Sequence, residues 1–161
     1  MKTRLLSLLL LIVWCASFVL AQEPRPLSER IRDSVAKHQK RWKLEANDKV
    51  PAMAQAGFDL FYLQWQDGRF HVDALMWVHY SVDDAKKQFS EGFEHNFSLM
   101  RKVDKSVPNL AADNYLLKGT HSDEWQRGVI FRKGRVFVYV SAHSEENAAK
   151  LASYIVAEID P

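Results

Sequence analysis

FDLFYLQWQDGRFHVDALMWVH, residues 58–79, decides how this chain folds. Two alternating runs meet at Asp67-Gly68, and successive strand side chains point to opposite faces. The runs predict a β-hairpin closed by a tight Asp-Gly turn, because a two-residue turn of that type needs positive φ at its centre. Setting Gln66 opposite Arg69 pairs Gln64 with His71, Tyr62 with Asp73, Leu60 with Leu75 and Phe58 with Trp77. The other face pairs Trp65 with Phe70, Leu63 with Val72 and Phe61 with Ala74, and it carries nothing polar. Both strands agree on which face is dry, and a slip of one residue would turn every side chain over.

Beyond the hairpin, Ser81 opens a helical pattern with Asp84 in the capping-box position and an apolar stripe of Val82, Ala85, Phe89, Phe93, Phe97 and Met100. The Asn96-Phe97-Ser98 sequon lies inside that pattern beside core positions, so it is discounted as a glycosylation acceptor. A strand is expected around Tyr115 to Lys118. RGVIFR and RVFVYVSA then flank Lys133-Gly134 as a second alternating hairpin, its register open by one residue because lysine suits positive φ poorly. Ser144 caps a last helix with Ala148, Leu151, Ala152, Ile155 and Ile159 at helical spacing. Upstream, Leu27 to Ala46 reads as an amphipathic helix with the stripe Leu27, Ile31, Val35, His38 and Trp42. Its basic run, KHQKRWK at 37–43, reads as a solvated face because Glu29, Asp33 and Glu45 stand beside it.

DGRF, strand, SVDDAKKQF answers KGRV, strand, SEENAAKLA as a weak internal repeat. The fold class expected is α+β: a twisted antiparallel sheet of about five strands made from two hairpin-plus-helix units, 58–101 and 114–160, behind an N-terminal helix at 27–46. The helices starting at Ser81 and Ser144 are expected on one side, against the dry face.

The opening MKTRLLSLLLLIVWCASFVLAQEP has a basic start, an apolar run and compact residues before Gln22, the pattern of a cleavable signal peptide ending at Ala21. Its apolar run of about 16 residues is shorter than the roughly 20 that span a bilayer, and Trp14 before Cys15 is too bulky for lipoprotein processing. The expected product is one periplasmic or secreted domain, 22–161. The segment removes Lys2 and Arg4 from 22 basic residues and none of the 20 acidic ones, so the mature formal charge is zero. That argues against nucleic acid, whose binders carry an excess of Lys and Arg for phosphate. The single cysteine goes with the segment, which excludes thiol chemistry and cysteine-ligated metals.

His71 and Asp73 share a face two residues apart, but His79 lies roughly 26 Å from His71 along a strand, so two ligands make no metal site. The same pair offers general acid-base chemistry and hence a small-hydrolase alternative, yet no nucleophile elbow, phosphate loop or dinucleotide fingerprint accompanies it. THSDE, 120–124, reads as a polar loop. No catalytic residue, metal or cofactor is assigned.

The face as a whole carries more weight. Phe58, Leu60, Tyr62, Leu75, Trp77, Ile130, Phe137 and Tyr139 form an aromatic surface edged by polar side chains, more apolar area than a soluble monomer leaves bare. The N-terminal helix, a second copy making a homodimer, or a ligand must cover it. The reading is a non-catalytic binding or interaction module, sensor-like or accessory, with an unidentified small molecule, peptide or protein on this face; a structural self-associating envelope protein is the further alternative. Tyr62, Gln64, His71, Asp73 and Trp77 are the candidate binding residues.

Overall fold

The computed structural model describes residues 25–50, 57–96, 100–103, 106–110, 113–119 and 126–160. The expected signal segment with its cleavage point, the 120–124 loop and Phe97 of the expected stripe lie outside the described residues. In chain order the elements are α1 (Leu27–His38), β1 (Lys43–Val50), β2 (Phe58–Asp67), β3 (Phe70–His79), α2 (Val82–Asn96), β4 (Met100–Val103), β5 (Asp113–Gly119), β6 (Arg127–Lys133), β7 (Val136–Ala142) and α3 (Glu145–Glu158). They build one antiparallel sheet in the order β1-β2-β3-β7-β6-β5-β4.

Seven strands stand where about five were expected. The two extra ones are β1 and β4, the edges. The helix expected over 27–46 stops at His38, with the amide of Gln39 closing on the Val35 carbonyl at 2.7 Å. Trp42 then turns into the core at 8% exposure, and KLEANDKV continues as a strand. Leucine, glutamate, alanine and lysine favour helix locally, but β2 would otherwise present a ten-residue row of unpaired backbone groups. Tertiary pairing overrides propensity there, with a bulge between Leu44 and Ala46.

The first hairpin keeps its predicted faces but not its predicted partners. Asp67 pairs with Phe70, so Gln66 faces His71, Gln64 faces Asp73, Tyr62 faces Leu75 and Leu60 faces Trp77. The pairing is two residues away from the expected one, and a shift of two preserves parity. The turn is Gly68-Arg69, not Asp67-Gly68, with Gly68 at φ +65; its counterpart Gly134-Arg135 has Gly134 at φ +55. Positive φ at the first turn position is the type II′ pattern. Asp67 is free to stay in the strand, where its carboxylate accepts from the Asn147 side chain at 3.0 Å and ties the turn to α3.

The repeat seen in sequence meets itself at the middle of the sheet. Ala74 of β3 faces Val140 of β7, and each lies six residues past its own turn glycine. The two hairpin halves are thus related by an approximate two-fold axis between those residues.

The helices following the hairpins do not share a side. α3 and α1 cover the dry face: Ile31, Val35, Ala148, Leu151, Ala152 and Ile155 pack with Leu63, Trp65, Val72, Met76, Phe131 and Val138, all buried. That face is fully occupied by two helices. α2 therefore crosses the other face, where Phe89 packs with Leu117, Ile130 and Phe137. The N-terminal helix, one of the three covers considered for the aromatic surface, thus lies on the opposite face.

Local signals fix the helix ends. Ser81 Oγ accepts from the Asp84 amide at 3.1 Å, the N-cap half of a capping box, and donates to the Asp84 carboxylate at 2.6 Å, a bond between side chains in place of one to the Ser81 amide. Ser144 Oγ accepts from the Asn147 amide at 3.2 Å. α3 has no basic residue in its last turn, and the Lys133 ammonium reaches over from β6 to the Val156 and Ile159 carbonyls, where the helix dipole is negative.

Candidate functional site

Three strands contribute one polar row to the outer face. Gln64 of β2 stands directly opposite Asp73 of β3, and Asp73 directly opposite Ser141 of β7. The Asp73 Oδ1 accepts from Gln64 Nε2 at 2.7 Å and from Tyr62 Oη at 2.9 Å; its Oδ2 accepts from Ser141 Oγ at 3.2 Å. Gln64 Nε2 also donates to Tyr62 Oη at 2.6 Å, closing a triangle. A carboxylate held by three donors on a partly buried surface is fixed in position.

Of the candidate residues, the structure brings Tyr62, Gln64 and Asp73 together and sets the other two apart. His71 Nε2 lies 3.2 Å from Glu45 Oε2 at the β1 bulge, so His71 and Asp73 take different partners and form no dyad. Trp77 belongs to the aromatic cluster under α2, its ring centroid 5.0 Å from that of Phe137. Ser141 was missing from the sequence reading. It alternates with Phe137 and Tyr139, but its role depends on pairing between segments 68 residues apart.

α2 rests on β7, β3 and β6. The outer side of β2 and the first half of β3 stays half-buried at Leu60, Tyr62, Gln64, Asp73 and Leu75. Burial, reinforced by the hydrogen bond to Asp73, pushes the Tyr62 phenol up to about 12; burial pushes Tyr139 up to about 12 as well. A phenol with a raised folded pKa holds its proton after the unfolded chain has lost it. Its stabilisation is complete below about pH 10 and is lost as pH rises toward 12. An ultraviolet phenolate titration should find two of the five tyrosines ionising late, with unfolding setting in over the same interval. Tyr62→Phe should remove one late phenol; an unchanged titration would show that Tyr62 is not held by Asp73.

His79 closes β3 beneath α2. It is 4% exposed, its ring tilted against Phe58 at 5.3 Å, and among the described residues neither ring nitrogen makes a hydrogen bond. Burial lowers its pKa below 6.5, with Gln88 and Asp84 of α2 pulling weakly the other way. An imidazole kept neutral in the folded state stabilises above the unfolded value and costs stability as pH falls through it. The wild type should lose stability as pH falls below about 6.5, and His79→Phe should flatten that slope in denaturant titrations. A steep acid slope surviving in His79→Phe would assign the effect elsewhere.

Among the described residues no group of three or more His, Cys, Asp or Glu side chains is placed to hold a metal ion, and no helix is long and apolar enough to cross a membrane.

No protein-family model matches the chain, and no curated protein matches it in sequence. Two solved structures resemble it in fold. The extracellular domain of PknH from Mycobacterium tuberculosis aligns with a TM-score of 0.55 at 12% identity, over 86% of this chain and 98% of that one. A GTP binding regulator from Thermotoga maritima aligns at a TM-score of 0.47 and 9% identity, over 83% and 89%, too distant to bear on function. Over most of its length the chain thus resembles that domain in fold.

Proposed function

We propose that this chain is an exported, non-catalytic binding module, sensor-like or accessory, that takes its ligand on the outer sheet face around Asp73. The observation carrying this reading is the Gln64-Asp73-Ser141 row with Tyr62 locked onto it, on the part of the face that α2 leaves half-open. A fixed carboxylate bordered by Leu60, Leu75 and Tyr62 supplies orientation and contact area at once, the combination a ligand site needs. The signal pattern at 1–21 and the fold shared with an extracellular domain support export to the periplasm or medium. A balanced mature charge supports partners other than nucleic acid.

Native mass spectrometry of protein purified from its own compartment reports any bound mass together with the subunit count. The expected result is an added small mass that disappears in Tyr62→Ala and in Gln64→Ala while circular dichroism is unchanged. Full retention of that mass in both variants would remove the site from this face.

A further inference from the structure

We infer that the cavity between the tip of the β2-β3 hairpin and the end of β7 binds a small zwitterion, a free amino acid or a dipeptide, gripped at its ammonium by Asp73 and at its carboxylate by Arg69. This rests on the proposed binding role of the outer face and names the ligand class for it. The cavity measures about 230 Å³ and is walled by Arg69, Phe70, His71, Asp73, Ser141 and His143 among others. That is below the roughly 300 to 1,000 Å³ of pockets for drug-sized molecules, so the ligand is small.

Asp73 supplies one end. Its Oδ1 is saturated by Tyr62 and Gln64, whereas its Oδ2, on the Ser141 side, accepts one long hydrogen bond of 3.2 Å. A carboxylate oxygen has two acceptor sites, so one remains for a donor entering from the cavity. Ser141 is itself buried at 6% exposure, which fixes the donor on that side.

Arg69 supplies the other end. Its guanidinium sits 4.9 Å from the centre of the Phe70 ring, which in turn stacks on His143 at 3.7 Å. Among the described residues Arg69 makes no ion pair, so an aromatic ring positions it and its fork of donors is left for a carboxylate. Arg69 and Asp73 stand about 13 Å apart at Cα by the strand rise, and both line the cavity.

The cavity at the other end of the sheet gives a contrast. By Arg135, the counterpart of Arg69, and Val136 it contains a further arginine and a carboxylate, Arg30 and Asp160, which come from outside the two hairpins. There they grip each other at 3.0 and 2.8 Å, brought in by α1 and the end of α3. At the Arg69 end the opposite charges face one space without joining. A simple anion there would sit against Asp73, with Glu45 close by on His71, and a simple cation against Arg69. A molecule carrying both charges suits both ends.

Isothermal titration calorimetry on the purified mature protein would use glycine, alanine, a longer ω-amino acid and glycylglycine. Acetate and methylammonium serve as single-charge controls. Binding of at least one zwitterion about tenfold or more tighter than either control is expected. Arg69→Ala and Asp73→Asn should each cost about tenfold or more with circular dichroism unchanged; the arm that binds best separates amino acid from peptide. Acetate or methylammonium binding as tightly as the zwitterions would overturn the inference, as would zwitterion affinity indifferent to Arg69→Ala. If no zwitterion binds but the native bound mass still vanishes in Tyr62→Ala, the ligand class is wrong and the outer-face site stands. If both fail, both fall.

Discussion

Replacing Phe137 by alanine should lower the unfolding free energy by about 3 to 5 kcal/mol, a large share of the 5 to 15 kcal/mol typical of one domain. Phe137 is fully buried and joins three elements: Trp77 of β3 at 5.0 Å, Phe89 of α2 at 6.1 Å edge-on, and its own strand β7 at the middle of the sheet. The described part of α2 is seated on the sheet mainly by Phe89, which also meets Leu117, Ile130 and Tyr115, since Ala85 is small and Val82 is 41% exposed. The variant should therefore also lose amide protection along α2 before it loses it in β3 or β6, a sequence that hydrogen exchange can resolve. A loss under about 1 kcal/mol would mean that α2 is held by other contacts.

Gly128→Val should cost stability on a similar scale, and Gly128→Ala about 1 to 3 kcal/mol. Alanine in place of glycine normally gains about 0.4 to 1 kcal/mol from a stiffer unfolded chain. Here a Cβ would meet the Val140 carbonyl oxygen at 3.0 Å, Tyr139 Cε2 at 3.1 Å and Leu117 Cβ at 3.4 Å. The ring can move a little; a backbone oxygen inside a strand pair cannot. Sterics therefore outweigh the entropy, and the shift of Tyr139 should show as an earlier phenolate titration from its position near pH 12. A Gly128→Ala protein as stable as wild type would mean that the Tyr139 ring is not seated over the glycine.

The sequence carried the faces of the sheet better than its neighbours. Parity alone put His71, Asp73 and Trp77 on one side and Val72, Ala74 and Met76 on the other, and the structure keeps that division even though the turn moved to Gly68-Arg69. The edges were hidden because Lys43–Val50 has helix-favouring residues and becomes a strand only by pairing with β2. Which face a helix takes was hidden too: α2 and α3 have comparable stripes, and only the prior occupation of the dry face by α1 and α3 sends α2 across. The site was half legible for the same reason. Tyr62, Gln64 and Asp73 lie on adjacent strands of one hairpin, whereas Ser141, His143 and Glu45 arrive from β7 and β1, whose positions no local pattern encodes.

The encounter of Ala74 with Val140 also governs how fast the molecule assembles. Each hairpin closes a two-residue loop and can zip up in microseconds, but uniting β3 with β7 must bring together residues 58 to 70 positions apart, and such non-local pairing is slow. Docking of two preformed halves is therefore the expected rate-limiting event: in stopped-flow measurements substitutions along this seam should retard folding while those at the outlying edges mainly hasten unfolding. A chain stalled before docking exposes the bare flanks of β3 and β7, the form in which copies stick to one another.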